Sequence, residues 1–212
     1  MGAAAVSFCP RPFPKSDYLK CPHALASITA NLTLSMMECA VYSHPPTTHQ
    51  TTDNQDIPAA APAASIHADY LKCPHALAWT MANLALSMME FRDAYISADQ
   101  WDNSLALVKW GLDWLLKAHV KASDNPADNA FVGQVSARPD HWYFGRPEHA
   151  TNPRLIYLAD STHPGADLAA EYAAAFAAGA VLFKGVGQTQ YAEQLYKQAK
   201  QAYGFAKAYP LK

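Results

Sequence analysis

Apolar residues recur at steps of three and four along much of the second half of the chain, which is the period of an amphipathic helix. One seam follows Pro74 and a second starts at Trp101, while two later segments, 167–184 and 190–209, are rich in alanine. No segment shows the clear alternation of a half-buried strand. The pattern predicts an all-α protein that buries Leu77, Met81, Leu84, Met88, Phe91 and Tyr95, then Trp101, Leu105, Val108, Leu112 and Leu115, and near the end Tyr191, Leu195, Ala199, Ala202 and Ala206.

Local signals predict where these helices begin and end. Pro74 suits the first turn of a helix. Ser97 and Gln100 have the spacing of a capping box, which predicts that Ser97 caps the next helix. Pro126 ends that helix, and we expect an irregular stretch from there to about Pro164. A loop of that length in a compact domain is often functional.

The first half of the chain contains an internal repeat. Residues 17–38 and 69–90 are identical at 18 of 22 positions. A solenoid needs at least about three copies, so two near-identical copies indicate a local duplication. The first copy lacks counterparts of Trp79 and Met81, which leaves its apolar face weaker.

Composition divides the chain near residue 65. Residues 44–64 are rich in proline, threonine and alanine and show no periodicity, as is typical of a linker or a disordered segment. We therefore predict an irregular N-terminal region, 1–65, that carries the duplicated helix 17–38 and the linker. A compact unit, 66–212, follows it.

The bulk composition excludes some classes of protein. The 212 residues are 50% hydrophobic and 16% charged with a net charge of -2, so nothing suggests the basic face of a nucleic-acid-binding protein. No apolar run is expected to span a bilayer. The first residues lack the charged start and long apolar centre of a secretory signal.

The cysteines raise a metal or haem alternative. Cys-Pro-His occurs at Cys21 and at Cys73, but no CxxC pair or zinc-ligand spacing is present. Cysteine and histidine two positions apart point to different sides of a helix. A duplicated helix start is the simpler interpretation, and we predict no metal and no cofactor.

The stretch from His141 to Glu148 places three aromatic residues after a histidine and before a Gly-Arg-Pro break. Aromatic faces beside polar groups suit a sugar, because a pyranose has a flat C–H face and a rim of hydroxyls. The alternative is an aromatic cluster that closes a core.

The wider context resembles glycoside hydrolase family 9, the endo-β-1,4-glucanases. Residues 138–148 are similar to the family's Asp-His-aromatic-Trp-Gly-Arg-Pro-Glu signature. Other similar stretches follow its order: 108–119, 133–135, 164–171 and 191–209. The resemblance covers roughly residues 66–212 and implies a partial (α/α)₆ barrel, with about four of its twelve helices plus the duplicated one.

The resemblance also implies the chemistry of an inverting glycosidase, in which one carboxylate activates water and a distant acid protonates the leaving oxygen. Asp69 falls on the family's base, but Ile66 replaces the aspartate that helps hold the water. No residue of this chain matches the acid, which belongs to a later part of the family domain. Asp69 has an alternative interpretation as a residue that favours the start of a helix.

For substrate binding, the resemblance implies that His141 and Phe144, with Tyr143 beside them, contact a β-1,4-glucan such as cellulose or cello-oligosaccharides. The main hypothesis is an endo-β-1,4-glucanase by descent that is inactive alone. The alternative is a non-catalytic helical scaffold that binds carbohydrate or protein. Exposed helix faces predict self-association, and the resemblance implies secretion.

Overall fold

The computed structural model describes residues 49–51, 70–136, 140, 143 and 145–210. Helices account for most of this part of the chain, which confirms the all-α class. In chain order the main elements are β1 (His49–Thr51), α1 (Pro74–Glu90), α2 (Arg92–Ser97), α3 (Trp101–Ala118), β2 (Phe131–Val135), β3 (Ile156–Ala159), α4 (Ala166–Gly185) and α5 (Thr189–Ala208), with short 3₁₀ turns at Pro126–Asp128 and Pro147–His149.

The predicted seam after Pro74 is interrupted at Phe91. Helix α1 ends at Glu90, and the Phe91 amide still donates to the Ser87 carbonyl at 2.9 Å. The chain then turns into α2, which leaves Phe91 45% exposed and buries Tyr95. The prediction that Phe91 lies in the core is therefore wrong, because the turn takes its side chain off the helix face.

The capping box predicted at Ser97 is also wrong. Ser97 is the last residue of α2, and its hydroxyl donates to the Ala94 carbonyl at 3.0 Å. Asp99 adopts a left-handed conformation with φ of 55°, and α3 starts only at Trp101. Gln100 occupies the N-cap and makes no side-chain cap bond. The turn therefore depends on the backbone conformation of Asp99.

A small antiparallel sheet lies where the sequence predicts an irregular stretch. Its strand order is β1-β3-β2, and residues Val132 and Gln134 flank a bulge in β2. Strand β2 is buried at its first, second and fifth positions, so its side chains do not alternate with a period of two. This explains why the strands are missing from the prediction.

Helix α4 is the centre of the packing and lies against both α1 and α5. Alanine is the best helix former and lets neighbouring backbones approach closely. At Gly179 the approach is so close that a Cβ would overlap Leu112 of α3, and a Cβ at Gly111 would overlap Met81 of α1. The Tyr172 hydroxyl donates to the Val132 carbonyl at 2.9 Å, which ties α4 to the sheet.

The composition of α4 corrects the prediction that no apolar run could span a membrane. Among the described residues, Ala166–Gly185 has the length and hydropathy for a span. However, 61% of its apolar window is buried against the rest of the protein. Burial of this kind is typical of a helix at the core of a packed domain.

His119 closes α3 with a buried polar network. Asn129 donates from Nδ2 to three backbone carbonyls, including that of Ser123, and this fixes its Oδ1 as an acceptor. His119 Nε2 therefore donates to Asn129 Oδ1 at 2.9 Å, while Nδ1 lies 3.1 Å from the side-chain oxygen Oε1 of Gln198 on α5. The ring stacks on Phe131 with centroids 4.2 Å apart. Burial lowers the pKa of His119, despite opposing hydrogen bonds from its two amide partners.

Strand β1 lies inside the predicted linker 44–64 and pairs with β3. The duplicated helix 17–38 lies outside the described residues, so the division of the chain near residue 65 stays a prediction. Cys73 precedes α1 as its N-cap and is disulfide-bonded. A disulfide sulfur is not the thiolate that the metal hypothesis requires.

Candidate active site

The aromatic loop starts at a strained residue. Ser136 follows β2 with φ of 75°, a conformation that costs a non-glycine residue on the order of 1–3 kcal/mol. Backbone hydrogen bonds hold it there: its amide donates to the Leu155 carbonyl at 2.6 Å, and its carbonyl accepts from Gln134 Nε2 at 2.8 Å. The chain therefore leaves the sheet at a sharp, well-anchored turn.

Asp140 lies at the centre of a buried polar network below the loop. Its carboxylate is 1% exposed. The Ser136 hydroxyl donates to Asp140 Oδ2, and Arg154 Nη1 donates to the same oxygen at 3.1 Å. A buried carboxylate needs such partners, since an unpaired one would be strongly destabilising. The strained Ser136 is thus held in a position where it satisfies Asp140.

The segment that leads into α1 is tied to this network. Arg154 Nη2 donates to the Tyr70 carbonyl at 2.8 Å, and the Tyr70 amide lies 3.5 Å from the Asp140 carbonyl. Two residues later, Lys72 exchanges backbone hydrogen bonds of 3.1 and 3.0 Å with Val135 of β2. Arg154 therefore joins the loop to the residue that directly follows Asp69.

Tyr143 is the predicted binding residue that the structure describes. Its hydroxyl donates to the Arg146 carbonyl at 3.0 Å, and its ring lies 5.8 Å from that of Tyr70 at an angle of 43°. The Tyr70 hydroxyl donates to the Gly145 carbonyl at 2.8 Å. A Cβ at Gly145 would overlap the Tyr143 hydroxyl group, so a larger residue there would push the Tyr143 ring from this position.

The structure thus brings Tyr143 next to the segment that carries Asp69. The other predicted site residues, Asp69, His141 and Phe144, lie outside the described residues. Sequence reasoning missed the roles of Tyr70 and Asp140. Asp140 belongs to the 138–148 signature and Tyr70 directly follows Asp69, but neither stretch indicates that a tyrosine 75 positions before Gly145 meets the loop.

Two positively charged residues, Lys72 and Arg154, lie close together where the segment before α1 meets the loop. Burial lowers the pKa of Lys72, and the neighbouring Arg154 guanidinium lowers it further. Glu148 forms an exposed ion pair with Arg146, whose closest charged atoms are 4.0 Å apart. Such a pair contributes little to stability. No cluster of metal-binding side chains lies in the described part of the chain.

Comparison with known proteins agrees with this arrangement. The sequence model of glycosyl hydrolase family 9 matches residues 67–212. The chain belongs to that family. Endoglucanase 15 of Arabidopsis thaliana is 41% identical over 143 residues, which are 67% of this chain and 28% of the relative. Endoglucanase 4 of a Bacillus strain is 37% identical over 142 residues, 66% of this chain and 21% of that protein.

Solved family 9 structures show the same arrangement of helices. The endoglucanase of the termite Nasutitermes takasagoensis superposes with a TM-score of 0.62 at 38% identity, covering 68% of this chain and 32% of that one. The catalytic domain of CelT from Clostridium thermocellum gives a TM-score of 0.61 at 24% identity, with 68% and 29% covered, and supports the fold alone. The chain thus spans less than a third of the relatives it matches, and only a part of the family's barrel is present.

Proposed function

We propose that this chain forms the base-carrying and sugar-stacking part of a family 9 β-1,4-glucanase site, and that its 212 residues bind β-1,4-glucan without hydrolysing it. The observation that supports this most is the set of contacts that Tyr70 makes with the aromatic loop and its anchors. Contacts to Asp140, Gly145, Tyr143 and Arg154 place the residue that follows Asp69 against the loop that carries the aromatic signature. A base and a sugar-binding surface must be neighbours in any glycosidase.

In this proposal Asp69 is the base that draws a proton from water. His141, Tyr143 and Phe144 contact the glucan, Tyr143 and Phe144 with their rings. An inverting glycosidase also needs a carboxylic acid some 6.5–9.5 Å from the base, with room for the water between them. No residue here matches the family's acid, and Ile66 stands where the family has the first aspartate of the motif, which helps to hold the water. Since general acid catalysis alone contributes about 10²–10⁴-fold, hydrolysis should fall below detection.

The proposed ligand is a β-1,4-glucan such as cellulose or a cello-oligosaccharide. One partial wall of a cleft buries little of each sugar ring, and an aromatic contact contributes on the order of 1 kcal/mol beyond burial. Dissociation constants in the millimolar range are therefore expected.

Self-association is a further proposal, supported by large apolar side chains that the helices expose: Trp79, Leu86 and Val181 are 41%, 54% and 61% exposed. Secretion, which the family resemblance implies, stays a prediction.

Two measurements on the full chain test this function. Release of reducing sugar from carboxymethyl cellulose should not exceed the blank, and release that Asp69→Asn abolishes would refute the claim of inactivity. Titration with cellotetraose should show saturable binding in the millimolar range. Binding that Phe144→Ala leaves unchanged would contradict the proposed site, whereas the exposed α5 variant Tyr203→Leu should have no effect and serves as the control.

A further inference from the structure

Tyr70 and Tyr143 form an aromatic pair at the surface of the loop. Both side chains are partly exposed, and their ring centroids are 5.8 Å apart with an angle of 43° between the planes. Their hydroxyls donate to the carbonyls of Gly145 and Arg146. Because each hydroxyl proton is already used, each tyrosine offers a ligand the apolar surface of its ring and an oxygen that can only accept.

The pair is held in place without a ligand. The Arg154 guanidinium binds the Tyr70 carbonyl at 2.8 Å, and Arg154 is itself anchored on the buried Asp140. On the other side, Gly145 packs so closely on Tyr143 that no Cβ would fit between them. Tyrosine side chains fixed in this way lose little conformational entropy when they bind, which favours recognition by rigid aromatic contacts.

We propose that Tyr70 contacts sugar directly and forms, with Tyr143, a shelf on which the C–H face of one glucosyl ring of a β-1,4-glucan rests. This rests on the proposed function and adds to it a residue that sequence reasoning did not select. The equatorial hydroxyls of β-linked glucose leave flat apolar faces along an extended chain. The tilted rings of Tyr70 and Tyr143 can both contact one such face. Tyr70 also follows Asp69 directly, so a sugar on the shelf lies beside the chain segment that carries the proposed base.

The direct test uses the unaltered full chain with ¹³C-labelled tyrosine rings. Tyr70→Phe and Tyr143→Phe assign the two ring signals by NMR, and cellotetraose is then titrated. Both ring signals should move along one binding curve. Maltotetraose, which is α-linked and does not present an extended flat chain, should move neither. Tyr196 of α5, which is 58% exposed, supplies a control signal that should stay in place.

Variants supply the second test. Tyr70→Leu removes the ring and should weaken cellotetraose binding by about fivefold, while Tyr70→Phe keeps the ring and should stay within about threefold of the original chain. Equal weakening of binding in the two variants would mean that Tyr70 only holds the loop in place, and would overturn the proposal. The NMR titration decides the case if Tyr70→Leu does not fold.

The remaining outcomes separate this proposal from the function on which it rests. A Tyr70 signal that stays fixed while that of Tyr143 moves would reject the shelf and leave a sugar site in place. Equal response to maltotetraose would reject its preference for β-1,4 linkage. If cellotetraose causes no saturable change at concentrations about tenfold above the millimolar range, both the shelf and the proposed function fail.

Discussion

Replacing Arg154 by leucine should destabilise the protein more than any exposed charge substitution, because Arg154 is the charged partner of a buried carboxylate. The change removes the 3.1 Å bond to Asp140 and the 2.8 Å bond to the Tyr70 carbonyl. Asp140 is 1% exposed and keeps only the Ser136 hydroxyl among the side-chain partners seen in the described residues. It cannot recover its lost partner from water without opening the loop.

The magnitude follows from the burial of the two groups. Breaking a buried ion pair on one side costs about 3–5 kcal/mol. The side chain of Arg154 is 34% exposed, so part of its charge is already solvated and the lower end applies. We expect a loss of about 3 kcal/mol, which corresponds to a melting temperature lower by roughly 6–12 °C for a chain of this size.

Urea denaturation followed by circular dichroism measures the loss, and a double-mutant cycle assigns it. Asp140→Asn removes the charge that needs Arg154, so the double variant should be less destabilised than the sum of the two single variants. Arg92→Leu is the matched control: Arg92 lies 5.1 Å over the Trp101 ring on the surface and should cost under about 1 kcal/mol. An Arg154→Leu loss no larger than that of Arg92→Leu, or additive single effects, would refute the buried-pair argument.

Two further predictions concern His119 and Gly145. Because burial lowers the pKa of His119 below its ordinary value of 6.5, the folded state binds fewer protons, and its contribution to stability is complete above that value and declines as the pH falls below it. The wild-type chain should therefore lose more unfolding free energy than His119→Gln between about pH 7.5 and 5.5 in urea titrations, and equal losses would contradict this. Gly145→Ala should cost about 0.5–1.5 kcal/mol, because the displaced Tyr143 hydroxyl loses its hydrogen bond to the Arg146 carbonyl. Its control, Gly185→Ala, places a Cβ where nothing lies within 4 Å, and a similar loss in both would refute the packing argument.

Much of the helical frame could be predicted from the sequence, because it depends on short-range periodicity. The apolar steps around Val108, Leu112 and Leu115 predict a helix, and all three residues are fully buried. Helix α4 was predicted as 167–184 and spans Ala166–Gly185. Local periodicity carries this information, since one face of a helix must be apolar to pack.

Local patterns failed where a backbone conformation or a partner strand decided the structure. Ser97 and Gln100 are residue types found in a capping box, but the left-handed backbone of Asp99 turns the chain before the helix can start. Strands β2 and β3 carry no alternation, and they exist because each supplies hydrogen bonds to the other across an intervening loop. A backbone that pairs with a distant segment leaves little trace in its own side-chain pattern.

The candidate site, like the fold, could be predicted from the sequence only in part. A motif resemblance could select Asp69, His141, Tyr143 and Phe144 as candidates from the sequence alone, because each motif is a run of neighbouring residues. Only the tertiary structure shows that Tyr70 joins Tyr143 and that Asp140 lies buried below them. Arg154, which donates to the Tyr70 carbonyl, lies 84 residues from it in the chain. Contacts between such distant residues depend on how the sheet and α1 pack together, so no local signal in the sequence could have predicted them.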